Sequence, residues 1–315
     1  MRIAVLAEPE RFEIVDEAAP AAAPDEVLLR VTACGVCASE LDMWKGLAGH
    51  ATYPWHPGHE VTGTVEAVGG EVEAFAPGDA VTAWVTTRGF AEQVAVKAAY
   101  CFPIGDVPAE LALGEPLACA VNAVELGDVR LGDDVVVIGA GFMGHLIHKL
   151  VDLRGPRQVI VADTRDDALK RAESFGATAT VNVLRDSLPE AVRDLTGGVG
   201  ADVSFEATGV QGALEALGEV TRMSGTVVIA GYHQGAPRTI PLGHWNWMAF
   251  RIANAHFRDV TTILRGMRIA VRLLTSGRIS MEGLVSHRYP LDAIADAFRA
   301  LDEKPEGFVK ATVTP

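Results

Sequence analysis

Apolar and polar residues alternate early in the chain and segregate into longer blocks later, and the two patterns predict two kinds of structure. In EVLLRVTAC and VTGTVEAVG apolar residues recur at every second position, as in strands with one buried face. Short segments of this kind, separated by Pro and Gly turns, fill residues 1–120 and predict a small, distorted β-barrel. The Ala/Pro-rich AAPAAAPDE beginning at Ala18 reads as a surface loop between strands. From residue 121 continuous apolar runs alternate with helical periodicity: VVVI then FMGHLIHKLVDL, VIVAD then RDDALKRAESFG, TATVNV then SLPEAVRDLT. A second half, VSFEA, QGALEALGEVTRM, TVVIAG and IANAHF, repeats the theme through residue 257. The whole predicts a doubly wound sheet of about six parallel strands, so the fold class is α/β.

Chemistry enters first at Gly139, Gly141 and Gly144, which follow the apolar strand 135–138 and open a helix. This is GxGxxG in a strand-to-helix setting: one glycine for the tight turn, one to let backbone approach a pyrophosphate, one for close helix packing. Phe142 and Met143 complete the turn as the helix begins, with its N-terminus toward the phosphates. The next apolar strand ends at Asp163, placed either to hydrogen-bond a ribose hydroxyl or to cap the following helix. An acidic group there favours NAD over NADP, although Arg165 two positions on could face a 2′-phosphate.

A second constellation lies between Cys34 and Glu60, where CGVCASEL is followed by PGHEVTGTVEAVGG. Thiolate and imidazole suit Zn²⁺, and a catalytic zinc uses three protein ligands with one open position. Cys37 and His59 fit that role, and Glu60 is either a third ligand or a hydrogen-bonded carboxylate behind one. A redox CxxC made of Cys34 and Cys37 would need a thioredoxin-like setting that is missing here, so Cys34 reads as packing, as does Cys119.

Together these segments resemble the medium-chain, zinc-dependent alcohol and polyol dehydrogenases, in particular the sorbitol dehydrogenase-like branch. The resemblance extends through FAPGDAV, RGFAEQVAV, EPLACAVNAV, GADVSFEATG and GFVKA, nearly the whole chain. It implies a GroES-like β-barrel catalytic domain, residues 1–120 with a return over 258–315, and a Rossmann domain over 121–257. It further implies that Cys37 and His59 bind catalytic zinc, with Glu115 at the metal directly or through water. Ser39 then passes the substrate proton outward, and Thr208 and Lys310 join the cofactor contacts, Lys310 at a phosphate. The activity implied is reversible hydride transfer between an alcohol and NAD(H), in a homodimer or homotetramer.

Three departures qualify the resemblance. The stretch between Val81 and Phe90 lacks the four cysteines of the family's structural zinc lobe, so one zinc per chain is expected. The acidic residue after the serine is Glu40 rather than the frequent Asp, and Asp42 stands where some members carry a relay histidine. Trp44, His50, Tyr53 and Trp55 between the ligand stretches would suit a polyol, cyclitol or sugar derivative, or else they pack the barrel. A zinc-free quinone or enone reductase of the same fold, and a non-catalytic nucleotide-binding protein, are the competing readings.

Composition fits this picture. A length of 315 residues with 49% hydrophobic content supports two cores, and a formal net charge of −14 opposes nucleic-acid or anionic-membrane partners. The first apolar run is too short for a signal peptide's core, and no run suits a membrane helix. Four cysteines do not make a disulfide framework, which points to the cytoplasm.

Overall fold

The computed structural model describes residues 1–48 and 52–315, and these form two compact units. The first comprises 1–118 and 263–315, and the second 119–262. His50 lies outside the described residues.

The first unit opens with a hairpin, β1 (Arg2–Glu8) and β2 (Arg11–Asp16). Strand β3 (Glu26–Gly35), a short helix α1 (Leu41–Trp44), β4 (Glu60–Val68), β5 (Ala80–Trp84), β6 (Gln93–Lys97) and β7 (Cys101–Pro103) follow. Strand β3 pairs antiparallel with both β4 and β6, and its register with β4 shifts twice. That pairing sets Gly35 opposite Glu60, the first residue of β4.

Helix α2 (Gly114–Gly127) carries the chain into the second unit. There β8 (Asp134–Ile138), α3 (Phe142–Asp152), β9 (Gln158–Asp163), α4 (Asp166–Ser174), β10 (Ala179–Asn182) and α5 (Leu188–Leu195) wind one half of the sheet. Strand β11 (Ala201–Glu206), α6 (Gln211–Val220), β12 (Thr221–Ile229), α7 (Leu242–Trp247) and β13 (Arg251–Asn254) wind the other. All six strands are parallel, in the order β10-β9-β8-β11-β12-β13. Strand β8 is buried at every position, which is why it reads, after Asp134, as an unbroken apolar run. Helix α5 starts where Ser187 accepts a hydrogen bond from the Glu190 N–H, with Pro189 in the first turn, as its sequence predicts.

Two details depart from the pattern reading. The helix expected through Met223 ends at Val220, and Thr221 already begins β12. Helix α7 has no clear periodicity, yet it buries Trp245 against the sheet core, where Gly218 of α6 leaves the space its indole fills.

Helix α8 (Val260–Thr275) leads back to the first unit, where β14 (Val285–Pro290), α9 (Ile294–Glu303) and β15 (Lys310–Thr314) complete it. Strand β15 pairs antiparallel with β3, placing Thr312 opposite Gly35. Phe298 of α9 inserts among Phe12, Trp44 and Phe90, with ring centres 5.0, 5.9 and 5.9 Å away. The C-terminal segment is thus part of the barrel's core.

Candidate metal and dinucleotide sites

Two chain segments meet at the candidate metal centre. Cys37 sits at the end of β3, just before the turn that starts α1, and His59 immediately precedes β4. One ligating atom from each of Cys37, His59 and Glu60 lies within 4.8 Å of the others. Thiol, imidazole and carboxylate are the donors Zn²⁺ takes in open, three-ligand sites, so these residues fit the ion. Ser39 donates its hydroxyl hydrogen to the Cys37 sulfur at 3.2 Å.

Buried Glu40 supplies the support. Its Oε1 accepts the Gly58 N–H at 2.7 Å and meets His59 Nδ1 at 3.1 Å. An imidazole that donates Nδ1–H to a carboxylate presents Nε2 as the free donor atom, the usual arrangement behind a metal-bound histidine. Burial opposes charge on His59, but Glu40 and then Cys37 outweigh it and raise its pKa well above the ordinary value. Cys34 behaves oppositely: burial, with the nearby carboxylates of Glu40 and Glu60, pushes its thiol far up and keeps it protonated. It is a packing residue of the barrel core.

Glu60 has an unforeseen partner. Lys310 at the start of β15 donates to Glu60 Oε1 at 2.7 Å, with side chains 5% and 1% exposed. Burial lowers the lysine's pKa, but Glu60 and Cys37 more than reverse this, so the ammonium is retained. Lys310 is thus engaged in a buried ion pair inside the first unit. Glu60 Oε2 makes no hydrogen bond and is the oxygen left for a cation. Glu115, in the first turn of α2, stands outside the close three-residue group, although its charge reaches Lys310.

The aromatic residues between the ligand segments mostly pack the barrel. Trp44 is buried in the core, and Tyr53 and Trp55 lie against it. Cys119 is exposed rather than packed in the core.

In the second unit Gly139 has φ +105°, and a Cβ there would lie 2.6 Å from the Thr208 methyl. A Cβ on Gly144 would strike the Gly139 carbonyl oxygen at 1.7 Å, so this glycine is fixed by helix packing. Gly141, which precedes Phe142 and Met143 at the start of α3, faces open space. That opening at a helix N-terminus is where a pyrophosphate fits. Asp163 Oδ2 accepts the Ala140 N–H at 2.6 Å, and its Oδ1 accepts the Arg165 N–H at 2.9 Å. Arg165 itself is the N-cap of α4, and its guanidinium lies 3.7 Å from Asp167.

Residues 23–106 match the family model described as the alcohol dehydrogenase GroES-like domain, and 143–268 match the one described as zinc-binding dehydrogenase. Human sorbitol dehydrogenase is 29% identical over 314 residues, covering 89% of this chain and 86% of its own. Galactitol-1-phosphate dehydrogenase from Escherichia coli superposes with a TM-score of 0.89 at 25% identity, over 100% of both chains. A structure from Sinorhizobium meliloti bound to NADP has a TM-score of 0.87 at 26% identity, over 100% of this chain and 99% of that one. Two models of one family, matched in both units and joined by relatives over almost the full length, identify the protein. This chain belongs to the medium-chain, zinc-type alcohol and polyol dehydrogenases and is an alcohol oxidoreductase.

Proposed function

We propose that the protein is a zinc-dependent dehydrogenase that transfers a hydride between a secondary alcohol and NAD(H). The substrate is a polyol, cyclitol or sugar derivative. The observation that carries this reading is the convergence of Cys37, His59 and Glu60 within 4.8 Å. When bound, zinc supplies a Lewis acid that lowers the pKa of an alcohol hydroxyl toward neutrality. Cys37, His59 and Glu60 hold the ion in this reading, with Glu115 as an outer group. Glu40 keeps His59 in the tautomer that leaves Nε2 free. The Ser39 hydroxyl, beside Cys37, takes the alcohol's proton and passes it outward.

The second unit supplies the dinucleotide site. Gly139, Gly141, Phe142, Met143 and Gly144 form its phosphate turn, with Thr208 beside it, and NAD supplies the hydride acceptor. Asp163 favours NAD because a 2′-phosphate would meet a like charge. The polyol assignment draws on the two polyol dehydrogenases named above, since Trp44, Tyr53 and Trp55 are taken up by barrel packing. A homodimer or homotetramer completes the reading: Leu242, Trp247 and Ile252 are exposed on and beside edge strand β13. No helix among the described residues is long and apolar enough to cross a membrane, and all four cysteines are free thiols, which suits the reducing cytoplasm.

A screen of simple alcohols, polyols and cyclitols with NAD⁺ and NADP⁺, read by nicotinamide absorbance on zinc-loaded protein, tests the proposal. A polyol or cyclitol should give the highest kcat/KM, with NAD⁺. Simple primary alcohols outperforming every polyol would sink the substrate assignment. Reduction of a quinone or enone by zinc-free protein would replace the reaction class.

A further inference from the structure

The ends of β11 and β12 are joined by a buried polar network that the proposed reaction does not use. Glu206, the last residue of β11, is fully buried. Its Oε1 accepts the N–H of Thr208 at 2.5 Å, the N–H of Gly209 at 2.8 Å and the Thr208 hydroxyl. Its Oε2 meets Nε2 of His233, in the loop after β12, at 2.8 Å. Arg238 Nε donates to His233 Nδ1 at 3.2 Å. The rest of the guanidinium donates to the carbonyls of Gly209, Gln234 and Ala236 at 3.2, 3.1 and 2.9 Å. Arginine offers no acceptor, so Nδ1 must accept, and the imidazole hydrogen on Nε2 points at Glu206.

The main chain reinforces the same junction. The Glu206 carbonyl accepts the N–H groups of Ala230 and Gly231, both at 2.8 Å. A Cβ on Gly231 would come within 2.3 Å of the Gly209 nitrogen and 2.4 Å of Glu206 Oε2, so the two loops touch with no room for a side chain. Thr208 in turn abuts the turn at Gly139. One carboxylate therefore links the glycine turn, the turn after β11 and the loop after β12.

A fully buried carboxylate is costly unless its lone pairs are answered, and four donors answer this one. Both loops lie at the carboxyl ends of parallel strands, where doubly wound sheets bind their ligands. We propose that Glu206, His233 and Arg238 are positioning residues that lock these two loops in their dinucleotide-bound arrangement before the dinucleotide arrives. The loops then lose their conformational freedom on folding rather than on binding, which raises affinity without any of the three residues touching the ligand. This inference rests on the dinucleotide site proposed above for the second unit.

Fluorescence titration with NADH and NADPH tests it, alongside hydrogen exchange over residues 230–239 in the free protein and steady-state kinetics. His233→Ala leaves Glu206 Oε2 without its donor. Arg238→Ala keeps the Glu206 to His233 bond and releases the loop carbonyls and His233 Nδ1, so it still reports if the first variant folds poorly. Both should raise the dinucleotide Kd and KM roughly tenfold, the worth of about one charge-assisted hydrogen bond, with kcat unchanged and faster exchange over the loop. His233→Gln, which restores an N–H toward Glu206, should recover most of the affinity. Folded Arg238→Ala protein with wild-type Kd overturns the inference, as does a His233→Gln variant no better than His233→Ala. Wild-type protein that binds neither NADH nor NADPH overturns the dinucleotide site itself, before any variant is made.

Discussion

Lys310 donates a hydrogen bond to Glu60 across 2.7 Å, joining residues 250 positions apart into an ion pair almost wholly removed from water. Gly35 makes the pair possible. A Cβ at that position would sit 1.9 Å from Glu60 Oε2 and 3.0 Å from the Lys310 side chain, so β3 must carry glycine where the two charges cross it. The pair sets Glu60 beside Cys37 and His59 with one oxygen engaged and the other open.

Lys310→Met should therefore destabilise metal-depleted protein by about 3–5 kcal/mol, because it leaves an unpaired carboxylate in the interior. The double variant Lys310→Met/Glu60→Leu should recover most of that loss. Urea unfolding of the four proteins of this cycle measures both values, and a single-variant loss under about 1 kcal/mol would show the pair to be neutral.

Elemental analysis should find about one zinc per chain, since one three-ligand cluster is present among the described residues and a closed structural site needs four ligands. Cys37→Ala should abolish turnover and zinc retention while NADH binding persists on the other unit. Two tightly held zinc ions per chain would contradict the expectation.

Cofactor choice should follow Asp163. Wild-type protein is expected to give a higher kcat/KM with NAD⁺ than with NADP⁺, and Asp163→Ser should narrow the gap by removing the like charge facing a 2′-phosphate. Arg165 lies 4.0 Å from Asp163 and keeps its 3.7 Å contact with Asp167 when Asp163 is replaced. A wild-type preference for NADP⁺ would reverse the assignment.

Gly141 and Gly144 should respond differently to alanine. Gly141→Ala places its methyl in open space, so the melting temperature should hold while dinucleotide affinity falls, because the backbone must approach a pyrophosphate there. Gly144→Ala drives its methyl into the Gly139 carbonyl and should cost stability itself. Equal effects of both variants on melting and binding would remove the distinction.

Acid should unfold the second unit through His145 and His148. Both are fully buried on α3, and burial, aided at His145 by Arg171, lowers their pKa values to about 3 and about 4 from 6.5. The unfolded chain takes up these protons first, so stability is complete above pH 6.5 and falls as pH drops from there toward the folded values. Within that window each histidine costs ~1.4 kcal/mol per pH unit. Asp152, raised by burial from 3.8 to about 6, works in the opposite sense and offsets about one of them between those two values. Unfolding midpoints measured from pH 7 to pH 4 should fall, and His145→Phe should flatten the slope.

Much of the fold was legible because its signals are local. The all-buried run of β8 followed by Gly139, Gly141 and Gly144 fixes a strand, a turn and a helix within one short window, and the six-strand sheet follows from repeating that unit. Cys37 and His59, with Glu60 beside them, were read as candidate zinc donors from their thiol, imidazole and carboxylate chemistry, whereas Ser39 and Glu40 entered only through the family resemblance. Cys119 and Trp44 were misjudged or left open because composition does not say which way a side chain faces.

What the sequence determined by itself was thus the two kinds of structure, the strand, glycine turn and helix at Gly139, and the chemistry of the three side chains that the fold brings within 4.8 Å. The tertiary structure alone decided which distant residues answer the buried charges. Lys310 meets Glu60 only because β15 pairs with β3, and His233 meets Glu206 only because β12 lies beside β11. A buried carboxylate must find a partner, but the partner is chosen by strand order and register, and those arise from the packing of the whole sheet rather than from any local pattern.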